Sequence, residues 1–291
     1  MTKKENQETV HNKIILIPTD FSEVCGNAIS HGVKLAHTMG CSVCILHVIN
    51  KETKAYLKKK DVEVDYIDRR LKDYKKYYEK KYSVSIESLA IEGSIFEVIN
   101  QVAKDIKATL MVLGTHGKKG LQHVFGSYAL RVVIDSPVPV IVVQKRHIRH
   151  GYNNIIFPIS NELEPRQKVQ WASTISALFD SKIHLFQARE TDEGLNSRLN
   201  IITHQITRVL DEKKLPYSLT IADKPGDFAN QVIKYSVKNC ADLIMIMTEP
   251  NYDVSGFSYS KWSERLMFNE AQVPVMCINP FNLGTFYYEL S

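Results

Sequence analysis

The chain has 291 residues, with 44% hydrophobic and 24% charged residues, an ordinary balance for a globular protein and enough length for two domains. No apolar run is long enough to cross a bilayer, and the opening residues MTKKENQETVHNK lack a signal-peptide core, so we expect a cytoplasmic protein. The net charge of +5 lies entirely in segment 51–81, and the neutral remainder argues against a nucleic-acid partner.

Short apolar runs alternate with helical segments from the start of the chain. Ile14 to Pro18 predicts a strand, and Ser22 is placed to cap a helix that runs toward Met39 and stops at Gly40. A second strand is predicted at 43–49. Further strands follow at 84–91, 109–114 and 138–143, with helices beginning near 95 and after 120. Apolar strands separated by helices indicate a doubly wound parallel α/β sheet covered on both faces.

The basic segment 51–81 holds twelve Lys and Arg residues against seven Asp and Glu. It also places Ile67, Leu71, Tyr74 and Tyr78 at helical spacing. We interpret it as one amphipathic helix with a solvated charged face, in preference to a docking surface for an anionic partner.

Five cysteines are present, and Cys41 and Cys44 form a C-x-x-C pair. The pair falls in an apolar strand, where residues three apart face opposite sides. No second Cys or Cys-His pair completes a metal set, so we predict buried structural thiols and no metal site.

The two halves of the chain repeat one another in outline. KIILIPTDFS in the first half corresponds to NIIFPISNE in the second, and SPVPVIVVQ corresponds to AQVPVMCIN, with offsets between 133 and 140 residues. This steady offset predicts two tandem domains, 1–146 and 147–291, joined by a short polar linker.

Polar and glycine-rich residues follow the predicted strands of the first half. Pro18-Thr19-Asp20 ends strand one, and the stretch GTHGKKGLQHVFGSYA begins where strand four ends. In a doubly wound sheet, ligands bind beyond the carboxyl ends of the strands. Glycines permit close backbone approach, and a helix N-terminus attracts anions. Asp20 is an acceptor suited to a ribose hydroxyl or to a phosphate-bound Mg²⁺.

At these residues the sequence resembles the universal stress protein family. The resemblance rests on IPTDFSEVCGNAI, LHVI, EGSIFEVI, LGTHGKKGL followed by GS, and SPVPVIVV, and it covers about 13–144, with a fainter echo in the second half. It implies two tandem five-stranded parallel sheets of the adenine nucleotide alpha hydrolase-like type. In one branch of the family it also implies ATP or AMP binding. The resemblance further implies that the last strands of the two domains, SPVPVIVVQ and AQVPVMCIN, pair within the chain.

The resemblance assigns roles to particular residues. Asp20 would hold the ribose or the phosphates, and the Val48 backbone would meet adenine. The implied binding residues are Pro18, Thr19, Asp20, Val48, Leu113, Gly114, His116, Gly117, Gly126, Ser127 and Tyr128. The motif departs from the family pattern at two points: eight residues rather than nine separate Gly117 from Gly126, and Ala129 stands where binders often carry a hydroxyl.

The second half lacks the same features. Ser160 replaces Asp20, and Met247-Thr248-Glu249-Pro250 replaces the glycine segment, so we expect no ordinary nucleotide site there.

Three functions remain open from the sequence. The first is a nucleotide-responsive stress protein that binds ATP or AMP, with or without Mg²⁺, and signals by occupancy to an unknown protein partner. The second is a nucleotide-free adaptor, and the third is a slow ATPase, although no catalytic residue is evident. A homodimer is a further expectation.

Overall fold

The computed structural model describes residues 13–116, 124–148, 151–161, 165–248, 250–253, 256–259 and 261–280. The first half contains β1 (Ile14–Pro18), α1 (Glu23–Met39), β2 (Ser42–Ile49), α2 (Lys51–Lys60), α3 (Asp65–Tyr82), β3 (Ile86–Glu92), α4 (Ile95–Asp105), β4 (Leu110–Gly114), α5 (Val124–Ile134) and β5 (Val140–Val143). The second half contains β6 (Asn154–Ile159), α6 (Lys168–Phe179), β7 (Lys182–Gln187), α7 (Glu193–Glu212), β8 (Tyr217–Ile221), α8 (Phe228–Lys238), β9 (Leu243–Met247), β10 (Pro250–Asp253), β11 (Gly256–Tyr259), α9 (Lys261–Met267) and β12 (Val275–Ile278).

The strands form one ten-stranded sheet in the order β3-β2-β1-β4-β5-β12-β9-β6-β7-β8, and β10 and β11 form a separate hairpin. Pairing is parallel within each half. The central strands are almost fully buried, with one apolar cluster on each face of the sheet. The predicted α/β fold is therefore confirmed, with the two five-stranded units joined into a continuous sheet.

The first helix begins and ends where its sequence predicts. The Ser22 side chain accepts a hydrogen bond from the Cys25 amide, which caps the N-terminus of α1. Gly40 ends the helix with a φ of +66°, a left-handed conformation that glycine adopts without a steric penalty.

The basic segment forms two helices, so the prediction of a single helix was wrong. Asp61 adopts a φ of +53°, which ends α2, and the chain restarts in α3. The predicted apolar stripe is confirmed: Ile67, Leu71 and Tyr78 are buried, and Tyr74 packs partly buried against the same cluster. Most charged residues of α3 lie on its outer face, as expected for an amphipathic helix, whereas Arg70 is half-buried.

Cys41 and Cys44 are free and buried, and they belong to the apolar clusters on opposite faces of the sheet, as predicted. Over the described residues, no group of three His, Cys, Asp or Glu side chains is placed to hold a metal ion. None of the helices in the described part of the chain combines the length and hydrophobicity that crossing a bilayer requires.

The two halves meet at an antiparallel seam, which confirms the predicted pairing of the last strands. Strands β5 and β12 pair with Ile141 opposite Met276. Reciprocal amide contacts flank this seam. Gln144 Nε2 donates to the Asn269 carbonyl at 3.0 Å. Asn279 Nδ2 lies 2.9 Å from each of three carbonyls at the end of α5, those of Val133, Ile134 and Ser136.

The segment between the halves is held against α1. Asn27 Nδ2 donates to the carbonyls of Gln144 and Arg146, at 2.6 and 3.0 Å. His31 Nε2 donates to the Arg146 carbonyl at 3.1 Å, and Lys34 Nζ reaches the Ile148 carbonyl at 3.0 Å. These bonds satisfy the carbonyls of alternate linker residues, Gln144, Arg146 and Ile148, so the position of the linker is coupled to that of α1.

We predict that Asn279→Ala lowers the free energy of unfolding by about 1–3 kcal/mol, because it removes the donor shared by three carbonyls at the seam. Urea denaturation followed by circular dichroism measures the change. Gln101→Ala is the matched control, since Gln101 is exposed and bonds only within its own helix, to Asp105. An Asn279 variant as stable as the control would contradict the structural role assigned to this amide.

We also predict that His31 makes the protein sensitive to acid. Burial lowers the pKa of His31 from 6.5 to about 4. The unfolded chain therefore binds a proton that the folded chain excludes, and stability is lost as the pH falls from 6.5 toward 4. The loss due to this group is about 3 kcal/mol over that window.

Comparing His31→Gln with the wild type by denaturation across the same pH range tests this assignment. The variant should show a shallower loss of stability on acidification. His37→Gln serves as control because His37 is exposed on the same helix. Parallel pH profiles for the wild type and the His31 variant would rule out His31 as the source.

Candidate functional site

A cavity of about 800 Å³ opens at the carboxyl ends of β1, β2 and β4. Strand order reverses between β1 and β4, which is where doubly wound sheets bind ligands. The lining includes eight residues that the sequence assigned to a site: Pro18, Thr19, Asp20, Val48, Leu113, Gly114, His116 and Tyr128. Of the other three, Gly117 lies outside the described residues, and Gly126 and Ser127 fall in the first turn of α5.

The turn after β1 is held by its own side chains. Thr19 Oγ1 accepts from the Phe21 amide at 3.1 Å, and Asp20 Oδ1 accepts from the Ser22 amide at 2.8 Å. Phe21 adopts a φ of +63°, a left-handed conformation that costs free energy in a bulky residue. The turn thereby presents the Asp20 carboxylate and the Phe21 ring together at the cavity.

Asp20 carries a negative charge at neutral pH. Burial acts to raise the pKa of this carboxyl group. Hydrogen bonds from Ser22 and Cys25 and the nearby charge of His116 outweigh that effect, so the pKa lies below its usual 3.8. The cavity therefore contains an ionised acceptor for hydroxyl or amine donors.

His47 links the ends of β1 and β2. Its Nδ1 donates to the Thr19 carbonyl at 2.8 Å, and its Nε2 lies 3.1 Å from Thr53 Oγ1. Burial lowers the pKa of His47, so the ring is neutral at neutral pH. Both ring nitrogens are engaged within the protein, which makes His47 a positioning residue.

One wall of the cavity is apolar and lies under α4 and α5. Ala129 is 6% exposed and belongs to this wall, so the position where the family often carries a hydroxyl here contributes to packing. The ring of Tyr128 packs on Phe96, with centroids 5.2 Å apart. The remaining apolar residues of this wall are Leu46, Val48, Ile95, Ile99, Leu113 and Val132.

The opposite wall was missed by the sequence analysis, which treated segment 51–81 as a solvated surface. Helices α2 and α3 contribute six lining residues together with the turn before α2: Asn50, Glu52, Thr53, Tyr56, Ile67 and Arg70. Arg70 is three residues beyond the buried Ile67, so helical spacing alone placed its side chain near the core edge. The position of the cavity above that edge is a tertiary property.

Gly114 serves a different purpose from the one expected of it. A Cβ atom at this position would lie 2.8 Å from the Val24 carbonyl oxygen and 3.1 Å from the Cys25 Cα. The glycine therefore allows the backbone of α1 to approach the end of β4. This contact does not support the expectation that the small size of Gly114 lets a phosphate group approach the backbone.

The second half carries aromatic rings where the first half has its cavity. Phe186 and Phe228 occupy the repeat positions of the cavity residues Leu46 and Ile95. Phe186 stacks on Phe228 with centroids 5.4 Å apart, and Phe228 stacks on Trp262 at 5.5 Å. These rings give a physical reason for the predicted lack of a nucleotide site in this half.

The strand end that corresponds to Pro18 is also occupied in the second half. Lys168 is fully buried, and its Nζ donates to the Pro158 carbonyl at 2.7 Å. In the first half, the side-chain donor at the end of β1 is instead His47, which bonds the carbonyl of Thr19. The two halves thus share a fold and differ in the chemistry of their strand ends.

We predict that Gly114→Ala destabilises the protein by about 1–3 kcal/mol, because the added methyl group must push the backbone of α1 away from β4. Thermal unfolding measures the effect. Gly26→Ala is the control, since a Cβ there meets no atom within 4 Å. A Gly114 variant that melts with the control would contradict the close-packing role.

Comparison with known proteins places the chain in a family. The model of the universal stress protein family matches residues 11–144. A universal stress protein of Methanocaldococcus jannaschii is 32% identical over 154 residues, which span 48% of this chain and 86% of that protein. A second one from the same organism is 26% identical over 164 residues, spanning 48% of this chain and 99% of that protein.

The crystal structure of a universal stress protein from Archaeoglobus fulgidus matches both halves in fold, with a TM-score of 0.74 at 14% identity, over 92% of this chain and 98% of that one. The resemblance noted in the sequence is therefore confirmed by the family model over residues 11–144 and by the M. jannaschii protein that is 32% identical over 86% of its length. The chain belongs to the universal stress protein family.

Proposed function

We propose that the cavity of the first half binds an adenine nucleotide, ATP or AMP, and that this cytoplasmic protein acts as a nucleotide-responsive stress protein. The observation that carries the proposal is the cavity itself: about 800 Å³ at the strand-order reversal, with an ionised carboxylate beside an apolar wall. Its size falls in the range typical of small-molecule sites.

The apolar wall under α4 and α5 suits a purine ring. Val48 ends a strand on that wall, where its backbone can meet the base as the family resemblance implies. Asp20 is the acceptor for the ribose hydroxyls. Thr115 also lines the cavity, and its Oγ1 is buried without a hydrogen-bond partner among the described residues.

The phosphates of ATP beyond the first are assigned to the start of α5. Gly126 and Ser127 lie in the first turn of that helix, where backbone amides without helical partners favour anions. Asp20 is the described carboxylate best placed to contact a Mg²⁺ ion that arrives with the phosphates. Such an ion would take most of its ligands from the nucleotide and water.

Ligand occupancy is the proposed output, with at most slow ATP hydrolysis. His47 is neutral but uses both ring nitrogens in protein contacts, so it offers no free base to a water molecule. Binding at Asp20 would bias the position of α1, which holds the linker between the halves through Asn27 and His31. A protein partner would then bind the nucleotide-bound and nucleotide-free states with different affinities.

Isothermal titration with ATP and AMP tests the proposal. The wild type should bind, and Asp20→Ala should weaken binding by about tenfold or more, because a charge-assisted hydrogen bond is lost. Asp135→Ala is the matched control, an exposed carboxylate in the same half that does not line the cavity.

A second variant uses the chemistry of the other half. Leu46→Phe combined with Ile95→Phe copies the aromatic residues found at the repeat positions and should abolish binding by filling the cavity. Absence of heat for the wild type, with an unchanged melting temperature at saturating nucleotide, would overturn the proposal.

The alternative function is a nucleotide-free adaptor. The buried Ala129 favours it, since it withholds a hydroxyl that many binders supply. Native mass spectrometry of the purified protein separates the two: a nucleotide retained on the chain supports the switch, and a partner retained without nucleotide supports the adaptor.

A further inference from the structure

The cavity has two compartments on opposite faces of the sheet. Leu46, Val48 and Leu113 belong to the apolar cluster on the α4 and α5 face. Ile67 and Phe21 belong to, or pack against, the cluster on the other face, under α2 and α3. The strand-end residues Thr19 and His47 lie between the two compartments, and all of these residues line the same continuous cavity.

Arg70 dominates the compartment under α2 and α3. Its guanidinium carbon lies 4.2 Å from the centroid of the Phe21 ring and 5.8 Å from that of Tyr66. Phe21 in turn stacks on His47, with centroids 4.6 Å apart and an interplanar angle of 24°. The guanidinium is therefore fixed by ring stacking, which leaves the N–H groups at its edge available as donors.

The stack requires an unfavourable backbone conformation at Phe21. Its φ of +63° is unfavourable for a bulky side chain, and the Thr19 hydroxyl holds the turn by accepting the Phe21 amide. The strained turn directs the aromatic ring between the imidazole and the guanidinium. Strain of this kind persists where surrounding contacts maintain it, and it is concentrated at binding sites.

Arg70 is half-buried at the cavity wall and forms no ion pair with a carboxylate among the described residues. Asp20 and Glu52 line the same cavity, yet neither lies within ion-pairing distance of its guanidinium. Most neighbouring cations on this segment are either exposed or paired, such as Arg69 with Asp65 and Lys54 with Glu92. A half-buried guanidinium without an acidic partner is suited to an anion supplied by a ligand.

We propose that Arg70 binds a phosphate group of the nucleotide, in a compartment separate from the glycine-containing loop, and so sets the preference for phosphorylated ligands over nucleosides. This inference rests on the proposed function of the cavity. The base would occupy the apolar compartment, and the ribose would lie over the strand ends at Asp20. The phosphate next to the ribose, the one that AMP carries, would reach Arg70 on the opposite face, and the further phosphates of ATP would extend to the start of α5.

Titrations with adenosine, AMP and ATP test the proposal on the full chain. The wild type should bind AMP at least about tenfold more tightly than adenosine, because a charge-assisted contact is added. Arg70→Gln should lose that preference while its affinity for adenosine stays unchanged, and Arg70→Lys should restore part of it. Arg69→Gln is the matched control, since it removes the neighbouring guanidinium, which is exposed and paired with Asp65.

Two outcomes would overturn the role of Arg70. Equal preference for AMP over adenosine in the wild type and Arg70→Gln, with both folded by circular dichroism, would overturn the role of Arg70 and leave nucleotide binding standing. Equal weakening of adenosine and AMP would also overturn it, since it would show that Arg70 only supports the cavity.

If the wild type binds none of the three compounds, the proposed nucleotide function fails, and sodium pyrophosphate then tests the anion site alone. A rise in melting temperature with pyrophosphate that is lost in Arg70→Gln would keep the anion site. The absence of such a rise in the wild type would overturn it.

Discussion

The antiparallel pairing of β5 with β12 is the constraint on which the rest of the structure depends. Each half alone would expose an apolar edge strand with unpaired backbone groups, and such edges promote association. Pairing the two edges within one chain removes both and makes a single ten-stranded sheet. Because the pairing is antiparallel, the strands of the two halves run in opposite directions. The carboxyl ends of the strands in one half therefore lie on the same side of the sheet as the amino ends of the strands in the other.

This arrangement confines the cavity to the first half, while α1 remains bonded to the linker that leads to the second half. Helix α1 is the connection. Its N-terminal end lies against β4 at Gly114 and forms part of the cavity, and its buried face holds the linker through Asn27, His31 and Lys34. A ligand at Asp20 and the linker therefore act on the same rigid element.

The two halves also show how one fold can keep or lose a cavity. In the first half, Leu46 and Ile95 leave space beside an ionised Asp20. In the second, aromatic rings at the repeat positions stack on one another, and Lys168 binds the strand-end carbonyl. The backbone topology is the same, so the difference arises from side-chain volume and charge.

The segment that carries the net positive charge also borders the cavity. The excess of Lys and Arg in segment 51–81 is mostly solvated, as its amphipathic pattern indicated. One member, Arg70, faces inward over the strained Phe21 turn. It adds a cation to the cavity that Asp20 also lines, and the neutral His47 bonds the end of β1 from β2 without adding charge.

The amino-acid sequence by itself determined the alternation of strands and helices, the caps of α1 and the repeat. These features depend on local periodicity or on short motifs, which are readable along the chain. It also placed Pro18, Thr19 and Asp20 at a strand end.

Only the tertiary structure decided the break at Asp61, the purpose of Gly114, the aromatic filling of the second half and the inward position of Arg70. The last three of these depend on atoms distant in sequence: the approach of α1 to β4, the contact of Phe186 with Phe228, and the stacking of α3 on the turn after β1. Periodicity says which face of a helix is apolar, but it cannot say which neighbouring element lies beyond the edge of that face.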